Sequence, residues 1–363
     1  MHKTNPSNDR MKREYLIYLK DARQRSRATV EQVRHAIDRL EAYTGAKDFG
    51  TFNKEQARGF KRALVATKGQ RTGRPISTTT AHHVLQALKE FLAWLQGRPG
   101  YRRRINIADI AYLSLTANEE RAARASSPKS YATFDQYRSA LFAMPTDNES
   151  ERRDQALFAL LLLTGMRDAA AVSLKVKHIS IERRRVFQDP REVRTKFAKA
   201  IETFFFPVGE DVATVVVDWV TYLTTVKLFG PNDPLFPKAA VGHDRHLSFT
   251  ARGLTRDHWA NASPVRQVFR TAFERIGLPY VKPHTVRDTL TQFAYKLQLN
   301  PEQLKAWSQN MGHDSVLTTI GSYGPVSTER QAEIISALGQ SSTDTGDLST
   351  EIAEKVAALL KGG

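Results

Sequence analysis

Six side chains in the second half of the chain could together hold an anion against a nucleophile. Two are arginines, Arg167 in Thr164-Gly165-Met166-Arg167 and Arg287 in Lys282-Pro283-His284-Thr285-Val286-Arg287. Two are histidines, His284 in the same stretch and His313 in Met311-Gly312-His313. Lys196 follows Arg194-Thr195, and Tyr323 lies ten residues beyond His313. Each is ordinary by itself. An arginine behind an apolar helix is commonly a structural ion pair, His-x-x-Arg recurs by chance, a lysine on a turn is solvated and a lone tyrosine is half-buried core. Taken together they form a cationic cage around a potential phenolate nucleophile.

The cage requires particular turns. Leu160 to Leu163 end a very apolar helix, and Gly165 permits the tight reversal that delivers Arg167 to a partly buried position. A guanidinium there needs an anionic partner, because leaving it unpaired is costly. Pro283 marks a helix start, so the spacing of three puts His284 and Arg287 on one face of its first turn, where N–H groups also favour an anion. Asn300-Pro301 opens a further helix as N-cap and first residue. That helix ends at Gly312, with His313 just past it. Ile179 to Gln188 and Thr203 to Val208 read as short strands, and the hairpin between them carries Arg194, Thr195, Lys196 and Lys199.

Upstream, the pattern is helical. Val30, Val33, Ile37, Leu40 and Tyr43 recur at spacings of three and four before Gly45, a second helix covers Lys54 to Ala66, and a third runs from about Ser77 to Leu95. A basic, glycine-punctuated loop, Lys68 to Pro75, separates the last two. Residues 116–130 are polar and read as an interdomain linker. Thr133 then opens a helix with Gln136 in capping-box register. The expected division is therefore a helical domain over 1–115, the linker, a mixed domain over 131–326 and a tail over 327–363. The tail carries one helix at 327–338 and another with Ile352, Val356, Leu359 and Leu360 on one side.

Composition narrows the function. With 54 Lys and Arg against 38 Asp and Glu, the net charge of the 363 residues is +16, and there is no cysteine. Disulfide frameworks, thiolate zinc sites, cysteine nucleophiles and iron–sulfur clusters are excluded. No nucleotide-binding glycine loop or zinc-protease motif occurs, and the histidines lack metal-ligand spacing. Residues 1–128 carry +13, residues 129–326 carry +6 and the tail carries −3. A basic first third suits a module that grips a nucleic-acid backbone. Candidate phosphate contacts are Lys68, Arg71 and Arg74 in the loop, and Arg102, Arg103 and Arg104. The first fifteen residues lack an apolar core, and the longest apolar run, Ala156 to Leu163, is too short to span a bilayer. A cytoplasmic, nucleoid-associated protein is expected.

The ordered set Thr164-Gly165-Met166-Arg167, Lys196, His284-Thr285-Val286-Arg287, Met311-Gly312-His313 and Tyr323 resembles the tyrosine recombinases, or phage-integrase superfamily. The resemblance spans about 133–326. It implies a mainly α fold with a small β-sheet, in which a SAM-like N-terminal helical bundle binds core DNA and a mixed α/β domain is catalytic. It also implies that Tyr323 attacks a DNA phosphodiester to give a 3′-phosphotyrosine and a free 5′-hydroxyl, with no metal or cofactor. Arg167, Arg287 and His313 would clamp the phosphate, Lys196 would protonate the leaving oxygen, and His284 would accept the tyrosine proton. The implied partners are double-stranded DNA with a specific site, three further copies of the chain in a tetramer, and accessory bending or directionality proteins; the terminal helix would dock on a neighbouring protomer. The sequence departs from the family pattern at Ala170, where a glutamate is common, and in a His313–Tyr323 gap one residue longer than in many members. Lys199 competes with Lys196, and the Thr-Lys context favours Lys196. Alternatives are a type IB-like topoisomerase and an inactive DNA-binding regulator on an integrase scaffold.

Overall fold

Polar caps begin the helices of the first part of the chain. The structure, a computed structural model, describes residues 5–68, 73, 75–124, 131–195, 198–243, 249–297, 299–313, 315–316, 331–333 and 336. Lys196, Tyr323, Arg71, Arg74 and the expected terminal helix around Ile352–Leu360 lie outside the described residues. Of the expected 327–338 helix, 331–333 and 336 are described and are helical. The chain divides into two units, Met1–Ser127 and Pro128–Gly363.

The first unit holds α1 (Pro6–Ile17), α2 (Arg27–Thr44), α3 (Lys54–Ala66), α4 (Thr78–Gln96), α5 (Ile107–Ile110) and α6 (Ala117–Arg124). Side chains of Asn5, Ser26, Asn53 and Ser77 accept hydrogen bonds from first-turn N–H groups, which would otherwise be orphaned. α2 stops at Gly45, in the left-handed region. α4 is the buried spine: Leu85, Leu88, Phe91, Leu92 and Leu95 pack among Ile37, Leu40, Phe60 and Leu64 of α2 and α3. α1 is too polar to stand out by composition, yet Met11 and Tyr15, with Leu19 in the helical turn that follows, recur at spacings of four and carry the buried seam. Its buried Asn8 donates to Glu41 and to the Lys47 carbonyl, and accepts from Phe49 N–H.

Part of the expected 116–130 linker is helical. Ala117–Arg124 is helical and packs along α4, within the first unit. Thr116 accepts from Glu119 N–H while its own N–H donates to the Glu119 carboxylate, a reciprocal cap. A polar composition says that a segment faces water; the Ala, Glu and Arg it contains are strong helix formers.

The second unit holds α7 (Phe134–Phe142), α8 (Glu149–Thr164), α9 (Asp168–Ala171), α10 (Glu210–Thr221), α11 (Ser263–Arg275), α12 (Thr285–Lys296) and α13 (Pro301–Asn310). Strands β1 (Ile179–Ser180), β2 (Arg185–Gln188) and β3 (Ile201–Phe204) form an antiparallel sheet in that order. A separate antiparallel ribbon pairs β4 (Pro237–His243) with β5 (Phe249–His258). α8 is the core: every residue from Ala156 to Leu163 is at most 1% exposed, as a helix apolar on all sides must be. α7, α10, α11 and α12 pack around it. The expected capping box at Thr133/Gln136 is present, and Asn300, expected as an N-cap, also forms one with Gln303. The ribbon was not anticipated, because β4 and β5 lack a run of β-branched residues. Its base is held by Arg153, which donates to the Pro237 carbonyl, and by Arg256, which binds Asp233 and the Leu228 carbonyl.

Candidate active site

Arg167 stands where α8 reverses. Gly165, at φ +57°, closes the helix with its N–H on the Leu161 carbonyl. A Cβ at this position would lie 2.9 Å from Leu290 Cδ1 and 3.8 Å from Arg287 Cγ, so glycine serves both the conformation and the approach of α12. Arg167 follows in extended conformation as the residue before α9, half-buried, with its carbonyl accepting from Ala170 and Ala171 N–H. The glutamate common in the family at position 170 is here a buried alanine.

Arg287, in the first turn of α12, is buried. Its Nη1 donates to the Gly165 carbonyl (2.5 Å), and its Nη2 donates to the Met311 carbonyl (2.7 Å) and meets His313 Nε2 (2.6 Å). These acceptors are all uncharged, while Arg167 stands close enough for its charge to be felt. Burial first, then the Arg167 charge, pushes the Arg287 pKa down to about 10, with Asp288 opposing. Two like charges held together, one of them desolvated, make a strong anion site. His284 occupies the N-cap position of α12 and is exposed, one turn before Arg287.

His313 owes its place to the end of α13. Gly312 N–H bonds to the Gln309 carbonyl and His313 N–H to the Ser308 carbonyl, with Gly312 at φ +70°, the paired bonds of a Schellman stop. Gly312 lies flat on β3, where an added Cβ would meet Ile201 Cδ1 at 2.9 Å.

The leg of the β2–β3 hairpin that leads to Lys196 is anchored throughout. Arg191 pairs with Asp189, and Glu192 receives Lys175 (3.1 Å) and Lys177 (2.9 Å). Val193 is buried, Arg194 N–H donates to Ser173 Oγ (2.9 Å), and the Arg194 guanidinium donates to the Ala260 carbonyl (2.8 Å). Lys199 is half-buried on the returning leg. The structure thus brings Arg167, Arg287 and His313 together and sets His284 at the mouth of the same helix. Asn310, which ties α13 to β3, was missed: an asparagine at a helix end has no sequence signature for a distant partner.

In the first unit, Lys68 bridges to Pro75 at the base of the basic loop and is exposed, as are Arg102 and Arg103. Arg104 differs from them. It donates to Asp48 (2.8 Å) and so braces its own turn. Among the described residues, no helix is long and apolar enough to cross a membrane, and no group of three His, Cys, Asp or Glu could hold a metal ion.

Comparison with known proteins finds the same fold among solved structures. Solved structures of similar fold include a lambda integrase dimer bound to a core site (TM-score 0.59, 14% identity, covering 88% of this chain and 97% of that one). The Tn1549 transposon integrase in complex with transposon right-end DNA aligns with TM-score 0.56 at 14% identity, covering 92% and 99%. The XerH site-specific recombinase bound to palindromic difH substrate aligns with TM-score 0.56 at 15% identity, covering 92% and 85%. No curated protein sequence matches. Residues 131–330 match the phage integrase family, more than half of the chain, and the resemblance read from the arginine, histidine and tyrosine motifs is borne out: the chain belongs to the phage integrase family, the tyrosine recombinases.

Proposed function

We propose that the chain is a site-specific recombinase that cuts and rejoins double-stranded DNA through a covalent bond between Tyr323 and a 3′-phosphate. The observation that carries this reading is the convergence of Arg287, Arg167 and His313 at the end of the buried α8. A phosphodiester under attack gathers negative charge on its non-bridging oxygens, and forked guanidinium donors in a dry site stabilise that charge. In this reading the Tyr323 oxygen forms the new bond to phosphorus, and the bond from phosphorus to the 5′-oxygen breaks. The tyrosine proton passes to His284, directly or through water, and Lys196 supplies a proton to the departing 5′-oxygen. Attack by the 5′-hydroxyl of a second strand reverses the chemistry and releases Tyr323.

Recombination requires two sites and four active centres, so the acting form is a tetramer on paired sites. The structural relatives include a dimer on a core site and a recombinase on its difH substrate, and both support this reading. The first unit supplies backbone contacts through Lys68, Arg71, Arg74, Arg102 and Arg103, with Arg104 bracing the turn, and works where the DNA is, in the cytoplasm. Trapping on nicked suicide DNA tests the reading. Tyr323→Phe should bind the site as wild type does and give no covalent adduct, whereas an adduct with the Phe variant refutes the nucleophile.

A further inference from the structure

Among the described residues β3 is an edge strand, and on its outer side Phe204 has no described strand to pair with. Its N–H donates to Asn310 Oδ1 (2.7 Å), and its carbonyl accepts from Asn310 Nδ2 (2.9 Å). One carboxamide thus makes the two bonds that a neighbouring strand would make. Thr203 Oγ1 adds a third bond to the Asn310 main-chain carbonyl (3.0 Å). Asn310 is the last residue of α13, and the next three residues are Met311, whose carbonyl holds Arg287, Gly312, which rests on Ile201 of β3, and His313. Along this short path there is little slack between the sheet edge and the imidazole.

We propose that Asn310 is a positioning residue for strand cleavage. By locking the end of α13 to β3, it fixes the depth at which His313 and the Met311 carbonyl meet Arg287. The proposal rests on the reading of Arg287 and His313 as the phosphate clamp. An asparagine is needed because the edge presents one donor and one acceptor. Aspartate has the same shape but lacks the donor and sets a carboxylate oxygen against the Phe204 carbonyl. The same strand begins five residues after Lys196, so the clamp and the lysine hairpin share one platform.

The test is a double-mutant cycle on the full chain, reading the rate of covalent adduct formation on nicked suicide duplex at saturating DNA. Asn310→Ala and Asn310→Asp should each slow the adduct roughly 10–100-fold, the scale of a small misplacement of a reacting group. Their DNA affinity should stay within about two-fold. In a His313→Ala background the same Asn310→Ala change should cost several-fold less than in the wild type, because one of the two groups it positions is gone and only the Met311 carbonyl remains. Thr203→Val, which removes only the third bond, should show a smaller loss with the same dependence on His313, and serves if the Asn310 variants fold poorly. Equal losses in both backgrounds, or a wild-type rate in Asn310→Asp, overturn the proposal while leaving the cleavage reading intact. No adduct from the wild-type chain, or an adduct from Tyr323→Phe, overturns the cleavage reading and Asn310 with it.

Discussion

Arg287 Nη2 lies 2.6 Å from His313 Nε2, and a guanidinium has no lone pair to offer, so the imidazole nitrogen is the acceptor. The Arg287 fork is meanwhile filled by two main-chain carbonyls and this nitrogen, acceptors that bear no charge. In the proposed reading, an arriving phosphate competes for donors already held in place by these acceptors, which lowers the reorganisation needed in the transition state.

Replacing Arg287 separates charge from shape. Arg287→Lys keeps the charge but cannot reach Gly165, Met311 and His313 together, so adduct formation should fall by about 10²–10³-fold, close to the loss in Arg287→Ala. Single-turnover cleavage on suicide DNA measures this; near-wild-type cleavage by the Lys variant refutes the fork geometry.

Lys196 and Lys199 can be told apart by the leaving group. Lys196→Ala should cleave ordinary DNA slowly and recover on a duplex with a 5′-bridging phosphorothiolate, whose sulfur leaves without a proton. Lys199→Ala should cleave both substrates at similar rates. Recovery confined to the Lys199 variant moves the proton donor to that residue.

Gly165 is required twice, by its left-handed φ of +57° and by the 2.9 Å approach of Leu290. Gly165→Ala should destabilise the second unit by about 1–3 kcal/mol through strain and overpacking. It should also reduce cleavage, because the Arg287 partner carbonyl belongs to this residue. Denaturant midpoints of the wild type and variant check the first expectation, and an unchanged midpoint contradicts it.

Acid should weaken the base of the lysine hairpin. His178 Nδ1 accepts from Lys175 N–H, and burial lowers the ring's pKa against the opposing charge of Glu192. Lys177 and Lys175 draw the Glu192 carboxyl down to about 2. For His178 the unfolded chain binds more protons below its ordinary pKa of about 6.5, so its stabilising share is whole above that value and is lost as pH falls. The Glu192 share is present above the ordinary carboxylate range and is lost toward its lowered pKa. Urea midpoints should therefore drop between pH 7.5 and 5.5, and His178→Asn, which keeps an acceptor near the Nδ1 position, should flatten that drop. An equal drop in the variant removes His178 as the cause.

Local rules determined much of this protein from its sequence alone. Capping residues such as Ser77, Thr133 and Asn300 mark helix starts because they satisfy orphan N–H groups within three residues. Gly165 and Gly312 mark helix ends because few other residues take a left-handed φ without strain. The uninterrupted apolar run of α8 could only be core. These are short-range effects, and they set the order and spacing of the cage residues as well. Tertiary structure decided what depends on distant partners. It gave Arg287 the carbonyls of residues 122 positions before it and 24 after it, paired the β4–β5 ribbon, drew residues 117–124 onto α4 and matched the Asn310 carboxamide to the edge of β3. A hydrogen bond to a main-chain carbonyl can use almost any residue as acceptor, so such bonds leave no trace in composition or periodicity.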